Sequence, residues 1–529
     1  MLPLLTAAQM RACDEYTIQK MNIPSQTLME RAARAAIDIL KTDASFALTD
    51  RTRLVVLCGN GNNGGDGFAM ARFLFDDGID STVCYAGEWK DDLPDTTKMS
   101  IECARQYTLW RDNGGQTNKE LPPLNLAHTI VVDALFGIGL CREITGLCAD
   151  WICQVNSHVC THKIPVLALD TPSGVQADTG KVLGCAMRAT VTATIGEIKR
   201  GLLLYPAAEY VGKLYRCDIG ISTEGLHDMP QVQPLDSWYW TASDVVPYLQ
   251  RPAYSHKGTF GRVLVIGGCP GMCGASYFAA KSAYRAGAGL VEVFTAEANR
   301  IPLQTLLPEA ILSTFDAVDM PTDEQLAHLL DRADSVVLGC GLGQGDVAHH
   351  ITKAALHFCQ KPLVVDADAL NLIAAHEPLQ ALLAARTAPT VLTPHMGEAS
   401  RLCHRTTEEI ASDLFATSAA LAARYHAVCV LKDARTIISD GKNHFAQPHG
   451  NSGMATAGSG DCLAGLIGSL LAQHRTRPNT RPVDIATLGI LIHAMAGDFA
   501  ADHLGQHAVM ASDIADAIGA VLRTPLPSS

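Results

Sequence analysis

The chain has 529 residues, which at roughly 100 to 200 residues per domain calls for at least two globular domains and excludes a single small module. Hydrophobic residues make up 48% and charged residues 18%, enough apolar material for packed cores, which excludes general disorder. With 41 basic against 54 acidic side chains the net charge is −13, the wrong sign for binding nucleic acid through its phosphates, so a phosphorylated ligand must be held by local features.

The start, MLPLLTAAQMR, carries no basic leader and too short an apolar stretch for a signal segment, and no later run reads as the roughly 20 apolar residues of a membrane span. A cytoplasmic protein without membrane attachment is expected. The 17 cysteines contain no CxxC pair, which points to reduced thiols. A helix is expected through Leu28, Met29, Ala32, Ala33, Ala36 and Ile37, entered at Pro24 and Ser25. The apolar run Leu54 to Cys58 then leads into GNGNNGGDG at 59 to 67 and a helix through Phe68, Ala71 and Leu74. Strand-like runs follow at Thr129 to Val132, Val166 to Leu169, Thr190 to Ile195 and, as an edge element, Gly212 to Ile219. Between them Cys141, Cys148, Cys153 and Cys160, with His158 and His162, lack the paired spacing of a zinc site and are expected to be buried or half-buried cysteines. From Ser222 to Ser243 the periodicity breaks, and a domain boundary is expected there.

A second alternating series starts at Arg262 to Gly268 and continues through an Ala-rich helix after Gly274 and a strand at Leu290 to Phe294. It runs on through SVVLGCGLG (335 to 343), LVVDADALN (363 to 371), TVLTPHMGE (390 to 398) and AVCVLKDARTII (427 to 438), and ends in GNSGMATAGSGDCLAGLIGSLL (450 to 471), which opens a late helix. The two series share no long motif, so a fusion of two unlike α/β domains is expected rather than a duplication.

In the first series three polar turns each follow a strand: NNGGDG at 62 to 67, Asp133 after TIVV, and Asp170 to Ser173 after VLAL. In an open parallel sheet such turns converge along one edge, where ligands bind. Gly64, Gly65 and Gly67 clear the way for backbone N–H groups to approach a phosphate, while Asn63, Asp133 and Ser173 offer oxygen ligands for potassium or another hard cation. Asp170 is the best general acid/base candidate, with a turn-capping aspartate as its alternative. GNGNNGGDG, VDALFGIGL and ALDTPSGV, preceded by IPSQTLMERAA, resemble the NAD(P)H-hydrate epimerase family over nearly all of this domain. The resemblance implies a Rossmann-like fold with K+ at Asn63, Asp133 and Ser173. It further implies that Asn62, Asn63, Gly64, Gly65, Asp66, Asp170 and the loop Gly137, Ile138, Gly139, Leu140, Cys141, Arg142 and Glu143 contact the hydrated dinucleotide, and that Asp170 is catalytic.

In the second series AGSGDCLAG at 457 to 465 is the strongest local signal. A Gly-Ser-Gly-Asp turn opening a helix sets free amides beside one carboxylate, Asp461, which suits phosphoryl transfer to a hydroxyl. Lys432, at the end of AVCVL, is placed to reach a nucleotide phosphate. Together VIGG, LGCGLG, VVDADALN, TPHMGE, LKDART and GSGD resemble the ADP/ATP-dependent NAD(P)H-hydrate dehydratase family, whose fold is ribokinase-like. That resemblance implies hydrate contacts at Ala275, Gly343, His395 and Asp461, and nucleotide contacts at Lys432, Asp433, Ala434, Arg435, Thr436 and Gly460. Mg2+ would accompany ADP or ATP, with ADP the expected donor and Asp461 the base. Cys340, Met396, Ala457 and Ser459 depart from the commonest family pattern, and His395 has a turn-stabilising alternative. The expectation is a bifunctional repair enzyme, with an epimerase domain over 1–225 and a dehydratase domain over 240–529. It would act on NADHX and NADPHX as a cytoplasmic homo-oligomer. The rivals are a ribokinase-like small-molecule kinase fused to a dinucleotide-binding domain and a non-catalytic ligand sensor.

Overall fold

The computed structural model describes residues 1–124, 127–228, 232–248, 250–316, 320–475 and 480–523. Residues 229–231 of the expected boundary stretch lie outside them. The chain divides into two compact units, one formed by Pro3–Ser237 and the other by Trp238–Ser529 with the first two residues.

The Pro3–Ser237 unit is built on a seven-stranded, wholly parallel sheet. Its strands run in the order Lys213–Cys217, Val191–Ile195, Val166–Leu169, Thr129–Ala134, Arg53–Cys58, Asp80–Tyr85 and Thr117–Asn118. Side chains alternate across such a strand. Leu54, Val56 and Cys58 pack on one face in a core that includes Leu28, Ala32 and Phe68. Val55 and Leu57 pack on the other face in a core with Trp151, Ile152 and Val155 of the helix Leu147–His162. Burial on both faces explains why these strands read as continuous apolar runs. Lys213–Cys217 is an edge strand, as its mixed pattern predicts. Separately, Leu4 and Leu5 pair in parallel with Ile198 and Lys199.

In the other unit the strands follow the order Ser237–Tyr239, His444–Gln447, Thr436–Ser439, Val428–Leu431, Thr390–Leu392, Leu363–Val365, Ser335–Leu338, Arg262–Ile266, Leu290–Ala296 and Ile311–Phe315. From Val428–Leu431 to Ile311–Phe315 the pairing is parallel, and within 427–438 the strand Val428–Leu431, which ends before Lys432 as expected, turns through residues 432–435 into the antiparallel strand Thr436–Ser439. Helices Cys273–Arg285, Ser459–His474 and Pro482–Leu504 contribute to one core with this sheet.

Two expectations are corrected. Pro482–Leu504 is long and apolar enough, by length and composition, to cross a membrane, yet most of that stretch is buried inside the unit, so it is a core helix. Cys141, Cys153 and Cys160 are exposed and only Cys148 is half-buried: Cys141 lies in the loop before the helix Leu147–His162, and that helix buries the stripe Trp151, Ile152 and Val155 and turns Cys153 and Cys160 outward. All 17 cysteines are free thiols.

Candidate active sites

In the Pro3–Ser237 unit the helix Asn62–Asp76 starts inside the glycine motif, with Gly61 as an N-cap that offers no side-chain acceptor. The amides of its first turn therefore lack intrahelical partners and face outward from the helix end. The glycines serve close packing more than phosphate access. A Cβ on Gly64 would stand 2.0 Å from the Gly59 carbonyl oxygen, one on Gly67 2.6 Å from Ala134 Cβ, and one on Gly65 2.8 Å from Met29 Cε.

A cavity of about 480 Å³ opens at this edge. Asn62, Asn63, Asp66, Asp170 and Gly137 through Arg142 line it, whereas Gly64, Gly65 and Glu143 do not. Asp170 adopts φ +63°, uncommon for a residue with a side chain. Its Oδ1 accepts from Lys199 Nζ at 2.5 Å, and its Oδ2 from the Ile138 N–H at 3.3 Å. Asp14 lines the same cavity. Burial, then the charges of Asp170 and Asp14, push the Asp66 carboxyl well above the usual range.

Behind the cavity Asp133 and Ser173 are fully buried. Ser173 donates its hydroxyl to Asp133 Oδ1 at 2.6 Å and its N–H to Oδ2 at 2.7 Å, while burial pushes the Asp133 carboxyl up to about 6 against those hydrogen bonds. Asn63 Nδ2 donates to the Phe136 carbonyl at 3.0 Å, and Asn63 Oδ1 is buried with no hydrogen-bond partner. An orphaned oxygen beside a carboxylate and a hydroxyl is a donor set suited to a hard cation. Lys199 and Asp14 were not legible as site residues. Lys199 belongs to the two-residue strand Ile198–Lys199 and carries no motif of its own.

In the other unit the ends of four strands meet the N-terminus of Ser459–His474. Cys340 follows Ser335–Leu338, Asp366 follows Leu363–Val365, His395 follows Thr390–Leu392, and Lys432 follows Val428–Leu431. Ligand-capable atoms of Cys340, Asp366 and Asp461 all lie within 4.8 Å of one another. Asp366 Oδ1 accepts from Lys432 Nζ at 2.8 Å and from Thr393 Oγ1 at 2.8 Å. Burial opposes charge on Lys432, but Asp366 and Glu398 outweigh it and raise its pKa. A Cβ on Gly460 would stand 3.3 Å from Lys432 Nζ, so glycine there keeps the space before the ammonium open. Burial and then the Asp366 charge push Asp461 up to about 6, opposed by the Cys340 thiol and Lys432.

His395 stabilises its own turn. Its Nδ1 accepts from the Gly397 N–H at 3.0 Å, and its N–H donates to Glu398 Oε2 at 2.9 Å, a capping box for Met396–Cys403. Burial, Lys432 and Arg401 lower its pKa. Gly343 has φ +82° and donates its N–H to Asp368 Oδ2 at 2.8 Å. Ala275 packs at the neighbouring turn, 2.8 Å from where a Gly341 Cβ would stand. Asp433 and Ala434 are exposed in the turn before Thr436–Ser439, where Arg435 is half-buried. His493, pushed down to about 4 by burial, lies with Nε2 3.0 Å from the Ser459 carbonyl and so braces the GSGD turn. Asp366 follows its strand as Asp133 ends its own, so the strand-end rule would have found it.

The family model described as NAD(P)H-hydrate dehydratase matches residues 263–519, and that described as YjeF-related protein N-terminus matches residues 25–201. The bifunctional NAD(P)H-hydrate repair enzyme Nnr of Moorella thermoacetica is 36% identical, over 98% of this chain and 96% of its own. The protein of the same name from Escherichia coli K12 is 34% identical, over 92% and 87%. A bifunctional NAD(P)H-hydrate repair enzyme from Leishmania major is 33% identical, over 99% and 94%. Among solved structures, a ribokinase-like superfamily protein from Enterococcus faecalis V583 aligns at 30% identity with a TM-score of 0.47, over 54% of this chain and 95% of its own. With relatives 33 to 36% identical across nearly all of both chains, this chain belongs to the family of bifunctional NAD(P)H-hydrate repair enzymes.

Proposed function

We propose that residues 1–225 epimerise the R and S forms of hydrated NADH and NADPH, and that residues 240–529 dehydrate the S form with ADP or ATP. The observation that carries this reading is a carboxylate at the ligand-binding edge of each sheet with a lysine in its surroundings: buried Asp170, ion-paired with buried Lys199, and half-buried Asp461, which feels the charge of Lys432, itself ion-paired with Asp366. In the first unit Asp170 Oδ2, toward the loop Gly137 to Arg142, moves the proton that lets the hydroxyl leave and return, or the ring open and close, at the carbon beside the ring nitrogen. Asn62, Asn63, Asp66, Gly137 through Arg142 and the first-turn amides hold the dinucleotide. K+ would be held by Asn63, Asp133 and Ser173, and would supply positive charge near the substrate phosphates without a basic surface.

In the second unit Asp461 takes the proton of the hydrate hydroxyl as that oxygen bonds to the terminal phosphorus of the nucleotide, whose bond to the bridging oxygen breaks and releases AMP from ADP or ADP from ATP. Phosphate, a far better leaving group than hydroxide, then departs with the electrons of the ring C–O bond, and the adjacent ring carbon loses a proton to solvent, its C–H electrons forming the double bond that restores the reduced ring. Ala275, Gly343 and His395 orient the hydrate, while Lys432 through Thr436 and Gly460 hold the nucleotide. Mg2+ accompanying that nucleotide would neutralise phosphate charge. The free thiols support a reducing, cytoplasmic setting. Light scattering tests the expected homo-oligomer, which a monomer overturns.

The deciding experiment incubates a mixed-epimer hydrate with the protein, Mg2+ and ADP or ATP, and follows reduced-nicotinamide absorbance and free phosphate. Recovery of both is expected. No recovery with either nucleotide, or a stable phosphorylated product in place of phosphate, overturns the reading.

A further inference from the structure

Among the basic side chains lining the 480 Å³ cavity, Arg11 and Arg142 are exposed and Lys199 is fully buried. A buried ammonium is costly unless all its protons are satisfied. A lysine has three to place. Lys199 Nζ donates to Asp170 Oδ1 at 2.5 Å, to Thr194 Oγ1 at 3.0 Å and to the Ile195 carbonyl at 2.5 Å. All three donors are consumed inside the protein, so the ammonium has none left for a substrate. Its backbone is fixed independently of the cavity through the parallel pairing of Leu5 with Lys199.

The effect on Asp170 is asymmetric. Oδ1 takes the lysine and, at 3.4 Å, the Ile195 N–H. Oδ2 takes only the longer Ile138 amide contact and lies 3.1 Å from where a Gly137 Cβ would stand, so it faces the loop that lines the cavity. Two further carboxyl groups, Asp14 and Asp66, share this space. We propose that Lys199 is a positioning residue for epimerisation: it holds Asp170 in one orientation, with Oδ1 bound inward and Oδ2 presented to the hydrate. This rests on Asp170 being the acid/base group.

The test measures steady-state epimerisation in Lys199→Met, Lys199→Gln, Lys199→Arg, Asp170→Asn and the double variant Asp170→Asn with Lys199→Met. Lys199→Met should lower kcat about 10- to 100-fold, the scale of a positioned acid/base group, with KM within about threefold. A fold staple would instead show its loss in thermal stability, restored in the double variant, with kcat unchanged. Wild-type kcat in Lys199→Met overturns the positioning role. If Lys199→Met does not fold, Lys199→Arg, which keeps the charge, must exceed the neutral donor Lys199→Gln in kcat, and equal values overturn the proposal. Wild-type kcat in Asp170→Asn overturns the underlying reading of Asp170 instead.

Discussion

Asp133 and Asp461 are both carboxyls pushed up to about 6 by burial, and their partners separate their roles. Both oxygens of Asp133 are taken by Ser173, which suits a group that holds something in place. Asp461 sits at a helix N-terminus with the Cys340 thiol and Asp366 beside it, which suits a base that must be ionised to act. Dehydration of the S-hydrate should therefore fall as pH drops through about 6, by about tenfold per unit below it. A kcat/KM profile from pH 5 to 8 checks this, and an acid limb near 4 would count against Asp461 as the base. Burial keeps the Cys340 thiol protonated, and its contact lowers the Asp461 pKa. Cys340→Ala should accordingly move the limb to higher pH, while a limb that stays put would remove Cys340 from the account. At this scale Asp133, Asp170 and Asp461 were legible because each stands at a strand end or helix start that the sequence marks. Lys199 was not, because it reaches Asp170 from 29 residues away and no local spacing encodes that meeting.

Helices and strands were legible where burial on both faces leaves an unbroken apolar run, as in Leu54 to Cys58 and Val166 to Leu169. Glycines were less so, since the same residue type serves opposite ends. Gly465 lies in Ser459–His474 where a Cβ would stand 1.9 Å from the Ala279 carbonyl oxygen. The two helices approach so closely only because that side chain is missing. Backbone cannot yield as a flexible side chain does, so Gly465→Ala should cost about 1–3 kcal/mol or more through overpacking. Gly519, in Ala511–Arg523, has nothing within 4 Å of its missing Cβ. Gly519→Ala should gain about 0.5–1 kcal/mol by restricting the unfolded chain and favouring helix. Thermal melts of the two variants should shift in opposite directions, and a shared sign would mean that packing does not set the difference. The glycines at 64, 65 and 67 belong with Gly465, which is why a motif that reads as a phosphate turn is mostly a packed helix start.

For the whole molecule, a net charge of −13 is compatible with phosphate-rich substrates where the attraction is local, from helix-end amides and, in the second unit, the half-buried Lys432. The two units also divide the chemistry by stereoisomer. On the proposed assignment the site around Asp461 would consume only the S form, so the R form would reach it after inversion at the site around Asp170, or by slow spontaneous inversion. Asp461→Asn should leave both forms unrepaired, since nothing downstream draws on the epimers. Asp170→Asn should repair the S share of a mixed hydrate at the wild-type rate and then stall, the remainder recovering only at the spontaneous rate. Adding the Asp461→Asn protein to the stalled Asp170→Asn reaction should restart it, because each variant supplies the step the other lacks and the hydrate can exchange through solution. Chiral chromatography of the residual hydrate checks both stages. If the R form disappears from the Asp170→Asn reaction as fast as from wild type, inversion does not depend on Asp170. If the mixed variants fail to restart, the hydrate must pass within one chain.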